Sequence, residues 1–304
     1  MGERYAELLS GFRGQVLCDE PMSRHTSLKV GGPADLFVVP ADMDDLQALV
    51  GQLGAAGVPW LAVGRGYNLL VRDGGIRGVV ISLERFTRLE AREGHRIAVG
   101  AGVENLELVR FGQSLGLGGV GFMAGIPGTI GGAVRMNAGA YGEGILQRAV
   151  CLTLLRAGQV REFCISEVDY GYRRLGLEPG DIILGLLLQL EERDSALTEE
   201  EVRKDLELRR TKHNVGFPSA GSFFKNPAGE QAWRLIERSG LRGQRVGGAQ
   251  VSEVHCNFLI NRGGATASDF LALSAQIKER VQQETGFLLE EEVRIIGEDT
   301  THDA

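Results

Sequence analysis

Ser222 stands in Pro218-Ser219-Ala220-Gly221-Ser222-Phe223-Phe224-Lys225-Asn226-Pro227, where a hydroxyl, an ammonium and an amide surround two aromatic rings. That composition suits an apolar pocket with a few directed polar groups. No Gly-x-Ser-x-Gly elbow encloses the serine and no carboxylate–histidine pairing is evident, so a nucleophilic serine is not the natural reading. Arg173 follows Asp169-Tyr170-Gly171-Tyr172, an aromatic-flanked cation suited to a carboxylate. Glu292 sits with Glu290 and Glu291 at the start of an expected last strand, where alternation puts Glu290 and Glu292 on one face. An isolated Ser, Arg or Glu is far more often structural or solvated than catalytic. Spacing alone does not bring these three together.

Two glycine-rich loops suggest a ligand held close to backbone. Gly64-Arg65-Gly66-Tyr67-Asn68-Leu69 follows an apolar strand and turns where missing Cβ atoms let N–H groups converge on an anion. The second loop runs Gly125-Ile126-Pro127-Gly128-Thr129-Ile130-Gly131-Gly132 and continues to Asn137-Ala138-Gly139. Twelve of the 44 glycines fall between Gly112 and Gly144, a density that turns alone explain poorly in both loops together. The segment Gly116–Gly121 matches Gly-x-Gly-x-x-Gly by letter, but it follows an expected helix rather than a strand, and a dinucleotide fold is not expected from it.

Composition bounds the rest. The 304 residues carry a net charge of −7 and 43% hydrophobic side chains, so the chain can bury a core and a broad nucleic-acid footprint is not expected. No apolar run approaches the roughly 20 residues of a membrane span, and the first residues match neither a secretory signal nor a myristoylation site. A cytoplasmic protein is expected. Cys18, Cys151, Cys164 and Cys256 form no Cys-x-x-Cys pair, so no metal site is expected, and the thiols read as reduced, partly buried, small apolar core residues.

The elements that must position these residues are an Asp42-led helix with Leu46, Leu49, Val50 and Leu53 on one face, and strands at Trp60–Val63, Gly78–Leu83 and Arg96–Val99. A helix at Glu104–Leu115 and apolar strands at Val150–Arg156 and Ile182–Leu190 follow. Glu191–Lys212, dense in charge, reads as a solvated bridging helix. Beyond it come a helix at Gln231–Arg238, a strand at Asn257–Asn261, a helix at Ala267–Glu284 and a last strand at Phe287–Ile296. On that strand Arg294 would share the face of Glu292.

The segments His25–Ala34, Gly64–Val71, Gly125–Gly142, Asp169–Arg173, Ala220–Pro227, Ser239–Gly243, Val246–Asn261 and Glu291–Gly297 together resemble the UDP-N-acetylenolpyruvoylglucosamine reductase family over roughly residues 20–297. The resemblance implies an α+β chain. An FAD-binding domain of the vanillyl-alcohol-oxidase type would form two subdomains, residues 1–71 and 72–196, with a C-terminal α+β substrate-binding domain at 197–304. It implies that Gly64, Arg65, Gly66, Tyr67, Asn68, Leu69, Gly125, Ile126, Pro127, Gly128, Thr129, Gly131, Gly132, Asn137, Ala138 and Gly139 hold FAD.

It further implies Arg173, Ser222 and Glu292 as catalytic residues and Lys212, Lys225, Asn226 and Arg294 as substrate contacts. NADPH would be the reductant and UDP-N-acetylglucosamine enolpyruvate the substrate of a monomer without nucleic-acid or membrane partners. Three departures stand out. Tyr67 replaces the family's usual Ser, Glu291 its usual Pro, and His213-Asn214 its Gln-Pro pair. The short stretch from Arg173 to Ser222 resembles the subtype without a Tyr-bearing loop. A related FAD-dependent sugar or alcohol oxidase and a non-catalytic flavin-binding module are the alternative readings.

Overall fold

The computed structural model describes Tyr5, residues 7–140 and 142–208, Thr211 and residues 215–300. The chain divides into two units. One comprises Met1–Cys18, Leu36–Arg65 and Gly78–Leu208; the other Asp19–Asp35, Gly66–Arg77 and Arg209–Ala304. Both are discontinuous in sequence, whereas the boundaries read from sequence are linear.

In the first unit, helix α1 (Met43–Ala55) starts where the Asp42 carboxylate accepts from the Asp45 N–H at 3.0 Å. That contact satisfies one of the donors a helix start leaves without an intrahelical partner. Leu46, Leu49, Val50 and Leu53 are all buried, as their spacing predicts. Strands β1 (Gln15–Pro21), β2 (Pro33–Val39), β3 (Trp60–Val63) and β4 (Ile76–Ser82) form a sheet in the order β1-β2-β4-β3, with β3 and β4 parallel.

A second, antiparallel sheet is built from β5 (Leu89–Arg92), β6 (Arg96–Gly100), β7 (Ala149–Arg156), β8 (Gln159–Cys164) and β9 (Ile182–Gln189), in the order β8-β7-β9-β6-β5. Helices α2 (Asn105–Ser114) and α3 (Ile130–Arg135) contribute Leu108, Val109, Ile130 and Val134 to its core.

Two sequence expectations are corrected here. The charged run Glu191–Lys212 is not simply a solvated helix. Glu191–Glu192 pairs with Leu117–Gly118, and α4 (Ser195–Leu208) sets Val202 and Leu206 against the first unit's core. Two apolar positions four apart suffice to give a charged helix a buried stripe. Thiols are not uniformly buried either: Cys256 is, Cys151 is half-buried, and Cys18 and Cys164 are exposed. The Gly116–Gly121 segment closes α2, with Gly116 and Gly119 at φ +67° and +104°, and a short 3-10 helix follows.

In the second unit, β10 (Ser219–Ser222), β11 (Arg245–Val246), β12 (Ala249–Val251) and β13 (Phe258–Asn261) form an antiparallel sheet in the order β10-β13-β12-β11. Helices α5 (Ala232–Arg238) and α6 (Ala267–Thr285) add Leu235, Ile236, Phe270, Leu273 and Ile277 to a core centred on Phe223 and Phe224. The N–H groups of Ala267 and Ser268 donate to Asp73 at 2.8 and 2.9 Å, and α6 ends at left-handed Gly286. Both are strong helix-boundary devices.

The expected strand Phe287–Ile296 is corrected to β14 (Arg294–Ile296), which pairs in parallel with Leu69–Val71. The residues before it are held irregularly by backbone bonds to Phe223 and Lys225. The two-residue period therefore does not reach from Glu292 to Arg294. Among the described residues, no helix is long and apolar enough to cross a membrane, and no group of three His, Cys, Asp or Glu could hold a metal.

Candidate active site

Strand β3 delivers buried Val63 and then Gly64, where a Cβ would lie 2.5 Å from Thr129 Oγ1. Thr129 is buried, and its hydroxyl oxygen has no hydrogen-bond partner among the described residues. A buried polar atom left unpaired is unfavourable by about 1–3 kcal/mol. The loop around it is pinned from below. The Asn105 N–H donates to Gly128 O at 3.1 Å and its side chain to Ile126 O at 3.0 Å, while Ile130 and Gly131 donate to Val103 and Ala101. Gly131 packs against Ala101, but a Cβ on Gly132 would enter open space. Gly64 thus packs against Thr129, while Gly132, three residues further on, faces open space among the described residues. Arg65 makes a surface ion pair with Glu104 at 2.6 Å.

Asn137 takes a left-handed backbone at φ +40°. Its side chain accepts from the Leu146 N–H at 3.2 Å and donates to Gly171 O at 2.9 Å. It therefore ties the second glycine loop to the turn that carries Arg173. That turn joins Tyr170–Gly171 to Arg174–Leu175. Arg173 also sits at positive φ, +54°, an uncommon conformation for a non-glycine residue. Its guanidinium donates to Gly139 O at 3.1 Å and Asn137 O at 3.4 Å, and lies 5.1 Å from the Tyr172 ring. The arginine, Asn137 and Gly139 are thus brought together.

In the second unit the His25–Gly32 segment cradles Gly66–Asn68. Gly66 is at φ +63°, and a Cβ there would run into His25 O. Ser27 donates to Tyr67 O at 3.3 Å, and the Tyr67 side chain is 39% exposed. The Asn68 side chain donates to Glu292 O at 3.1 Å, and its backbone oxygen accepts from the Arg294 N–H at 3.0 Å.

Ser222 ends β10, half-buried, next to two fully buried phenylalanines. Phe223 O accepts from the Glu292 N–H at 2.8 Å, and the Lys225 N–H donates to Glu290 O at 2.9 Å. Ser222 and Glu292 are therefore brought onto adjacent backbone segments. Neighbouring carboxylates go elsewhere: Glu290 pairs with the Lys225 ammonium, and Glu291 accepts from Ser274 at 2.9 Å and Lys278 at 3.0 Å. Burial raises the Glu291 carboxyl, but the bonds from Lys278 and Ser274 hold it below its ordinary value. Asn226 accepts from the Ala232 N–H at 3.0 Å and so caps α5. Lys212 lies outside the described residues.

Asn257 escapes the sequence reading. It is 3% exposed. Its side chain donates to Phe224 O at 2.8 Å and accepts from the Phe224 N–H at 3.0 Å, while its own carbonyl takes the Phe223 N–H at 2.7 Å. One residue thereby supplies the backbone partners of the two positions after Ser222. The available signal was a polar residue inside the apolar run Cys256-Asn257-Phe258-Leu259-Ile260.

Residues 212–296 match the family described as UDP-N-acetylenolpyruvoylglucosamine reductase, C-terminal domain, and residues 34–157 match the FAD binding domain family. The UDP-N-acetylenolpyruvoylglucosamine reductase of Pelobacter propionicus is 67% identical over 293 residues, covering 96% of this chain and 99% of its own length. The chain belongs to the UDP-N-acetylenolpyruvoylglucosamine reductase family.

The enzyme of that name from Geobacter metallireducens is 57% identical, covering 98% of this chain and 99% of its own. The crystal structure of the Thermus caldophilus reductase aligns with TM-score 0.78 at 33% identity, over 93% of this chain and 99% of that one. The expected α+β architecture, an FAD-binding domain followed by the reductase C-terminal domain, therefore holds. The FAD match covers Gly64, Thr129, Asn137 and Gly139, and the C-terminal match covers Ser222, Asn257, Glu292 and Arg294. Arg173 lies between them. The unpaired Thr129 hydroxyl and the open space before Gly132 fit a cofactor held through its polar atoms at that loop, so this reductase's own residues fit FAD.

Proposed function

We propose that this chain reduces the enolpyruvyl ether of UDP-N-acetylglucosamine to UDP-N-acetylmuramate, with NADPH as reductant, as a cytoplasmic monomer. The observation that carries the reading is the backbone bond from Glu292 N–H to Phe223 O, which holds a carboxyl beside the serine-bearing strand in a chain of this family. Gly64, Thr129, Gly128 and Gly132 would hold FAD, together with Arg65, Gly66, Tyr67, Leu69, Gly125, Ile126, Pro127, Gly131, Ala138 and Gly139. When bound there and reduced by NADPH, FAD would supply hydride-transfer chemistry toward the enolpyruvyl group.

Arg173 pairs bidentately with the substrate carboxylate, where negative charge grows as hydride arrives. Its guanidinium is oriented beforehand by two carbonyl oxygens, which reduces the reorganisation needed to meet an anion. Ser222 gives its proton to the adjacent carbon. A hydroxyl is a weak acid, but the carbanionic carbon is a strong base, so the serine requires no activation. Glu292 stabilises the same anion as a neutral acid or by orienting a donor. Lys225 and Arg294 contact the diphosphate, uracil or carboxylate of the substrate, and Lys212 is a further candidate.

The test is NADPH oxidation by the yellow holoprotein. Oxidation that requires the enolpyruvyl substrate and yields one lactyl ether per NADPH supports the assignment. Oxidation sustained by oxygen alone, indifferent to the substrate, overturns it in favour of an oxidase.

A further inference from the structure

Cys151 on β7 and Cys164 on β8 stand directly opposite each other in antiparallel register. The strands are joined by two residues, Ala157 and Gly158, at φ +49° and +74°, the paired left-handed conformation of a type I′ turn. Arg156 and Gln159 flank that turn as the first register pair. In a two-residue hairpin the flanking pair is hydrogen-bonded and successive pairs alternate. Cys151 and Cys164 form the sixth pair, so they are non-hydrogen-bonded. The Cys164 N–H agrees, since it donates to Glu167 Oε2 at 2.9 Å rather than across the ladder.

Opposed residues at such a position have Cα atoms about 4.5 Å apart, inside the roughly 4.4–6.8 Å that a disulfide spans. Leu152 and Leu154 turn into the core, so the two thiols share the other face of the hairpin. Cys164 is exposed and Cys151 half-buried.

We propose that Cys151 and Cys164 form a modification site, a cross-strand dithiol that low-molecular-weight disulfides convert to an intramolecular disulfide. The Cys164 thiolate attacks the reagent, breaks its S–S bond and releases one thiol, leaving a mixed disulfide. Cys151 then loses its proton, attacks the Cys164 sulfur and expels the second thiol. The chain loses two electrons and two protons, and the reagent is reduced to two thiols. Burial pushes the Cys151 thiol up, so it stays protonated while the exposed partner reacts first. The bond also anchors the end of β8, from which the chain leaves through Ile165–Glu167 toward Arg173. None of this depends on the reductase assignment.

The full chain, reduced and then freed of reductant, is incubated with oxidised glutathione, alkylated and mapped by mass spectrometry without reduction. The expected result is a linked peptide pair carrying Cys151 and Cys164, two fewer free thiols, and full reversal by dithiothreitol. The Cys18→Ser/Cys256→Ser chain should give the same pair, and amide exchange over 165–173 should slow on oxidation. Two results overturn the proposal: persistent alkylation of both thiols, or glutathione left on Cys164 as the only product with Cys151 still alkylated.

Discussion

The Asn68 carboxamide donates to the main-chain oxygen of Glu292 at 3.1 Å, joining residues 224 positions apart. With the bond from Arg294 N–H to Asn68 O, it fixes the segment on which Glu292 is carried. Asn68→Ala should lower stability by about 0.5–1.5 kcal/mol. Because small misplacements at a reacting centre can slow turnover by as much as about 10²-fold, kcat should fall well beyond what unfolding explains. Urea melts beside steady-state rates decide this. Full kcat in the destabilised variant would show that Asn68 does not serve Glu292.

Ser222→Ala should leave flavin reduction by NADPH nearly unchanged and slow flavin reoxidation by the enolpyruvyl substrate by about 10²–10⁴-fold, the usual worth of a positioned acid. Stopped-flow flavin absorbance separates the two half-reactions. Equal slowing of both contradicts the proton-donor role. Arg173→Lys should also lose rate, because an ammonium cannot reproduce the planar fork.

Asn257→Ala orphans the buried N–H and C=O of Phe224, at about 1–3 kcal/mol each. Asn257→Asp replaces the donor by a buried carboxylate oxygen facing Phe224 O, so at pH 7 it should be at least as destabilised as alanine. Chemical denaturation of the three proteins gives the order, and an alanine variant as stable as the parent refutes the bracing role.

Gly132→Ala discriminates ligand from fold. The added methyl meets no atom of the described residues within 4 Å, and in a helix it should be neutral or stabilise the flavin-free chain by about 0.5–1 kcal/mol. If FAD occupies the space before Gly132, affinity for it drops. Flavin titration of the stripped chain measures this, and unchanged affinity places the cofactor elsewhere.

Glu291 brings a pH dependence with a definite sign. Its folded carboxyl lies below the ordinary value of 4.5. The stabilisation it gives is therefore fully present above that value and is lost as pH falls through the lowered folded one. Glu291→Gln should cost about 0.2–1 kcal/mol at pH 7, since the Lys278 side chain is partly solvated. That difference should shrink on acidification below pH 4.5. A gap independent of pH would assign the effect to packing.

Helix α1 could be read directly because its cap, Asp42, and its buried stripe lie within a dozen residues of one another. Gly64 could likewise be read as a site of close approach, since the absence of a side chain is itself the signal. The asparagines were not readable in this way. Asn68 and Asn137 stand in glycine-rich loops, and nothing local in the sequence records that their side chains hold backbone atoms of Glu292 and Gly171. Nor was the irregular entry to β14, where Phe223 and Lys225 take the backbone bonds that a longer strand would need.

By itself the sequence determined the family, the α+β class and the glycine loops, because caps, periodicities and motifs act over a few residues. Only the tertiary structure decided that Glu292 lies beside the Ser222 strand, that Asn257 braces that strand, and that Glu291 turns away to Lys278. Those outcomes rest on hydrogen bonds between positions roughly ten to seventy residues apart. Their partners are selected when buried polar groups must be satisfied together, and no local pattern records that selection.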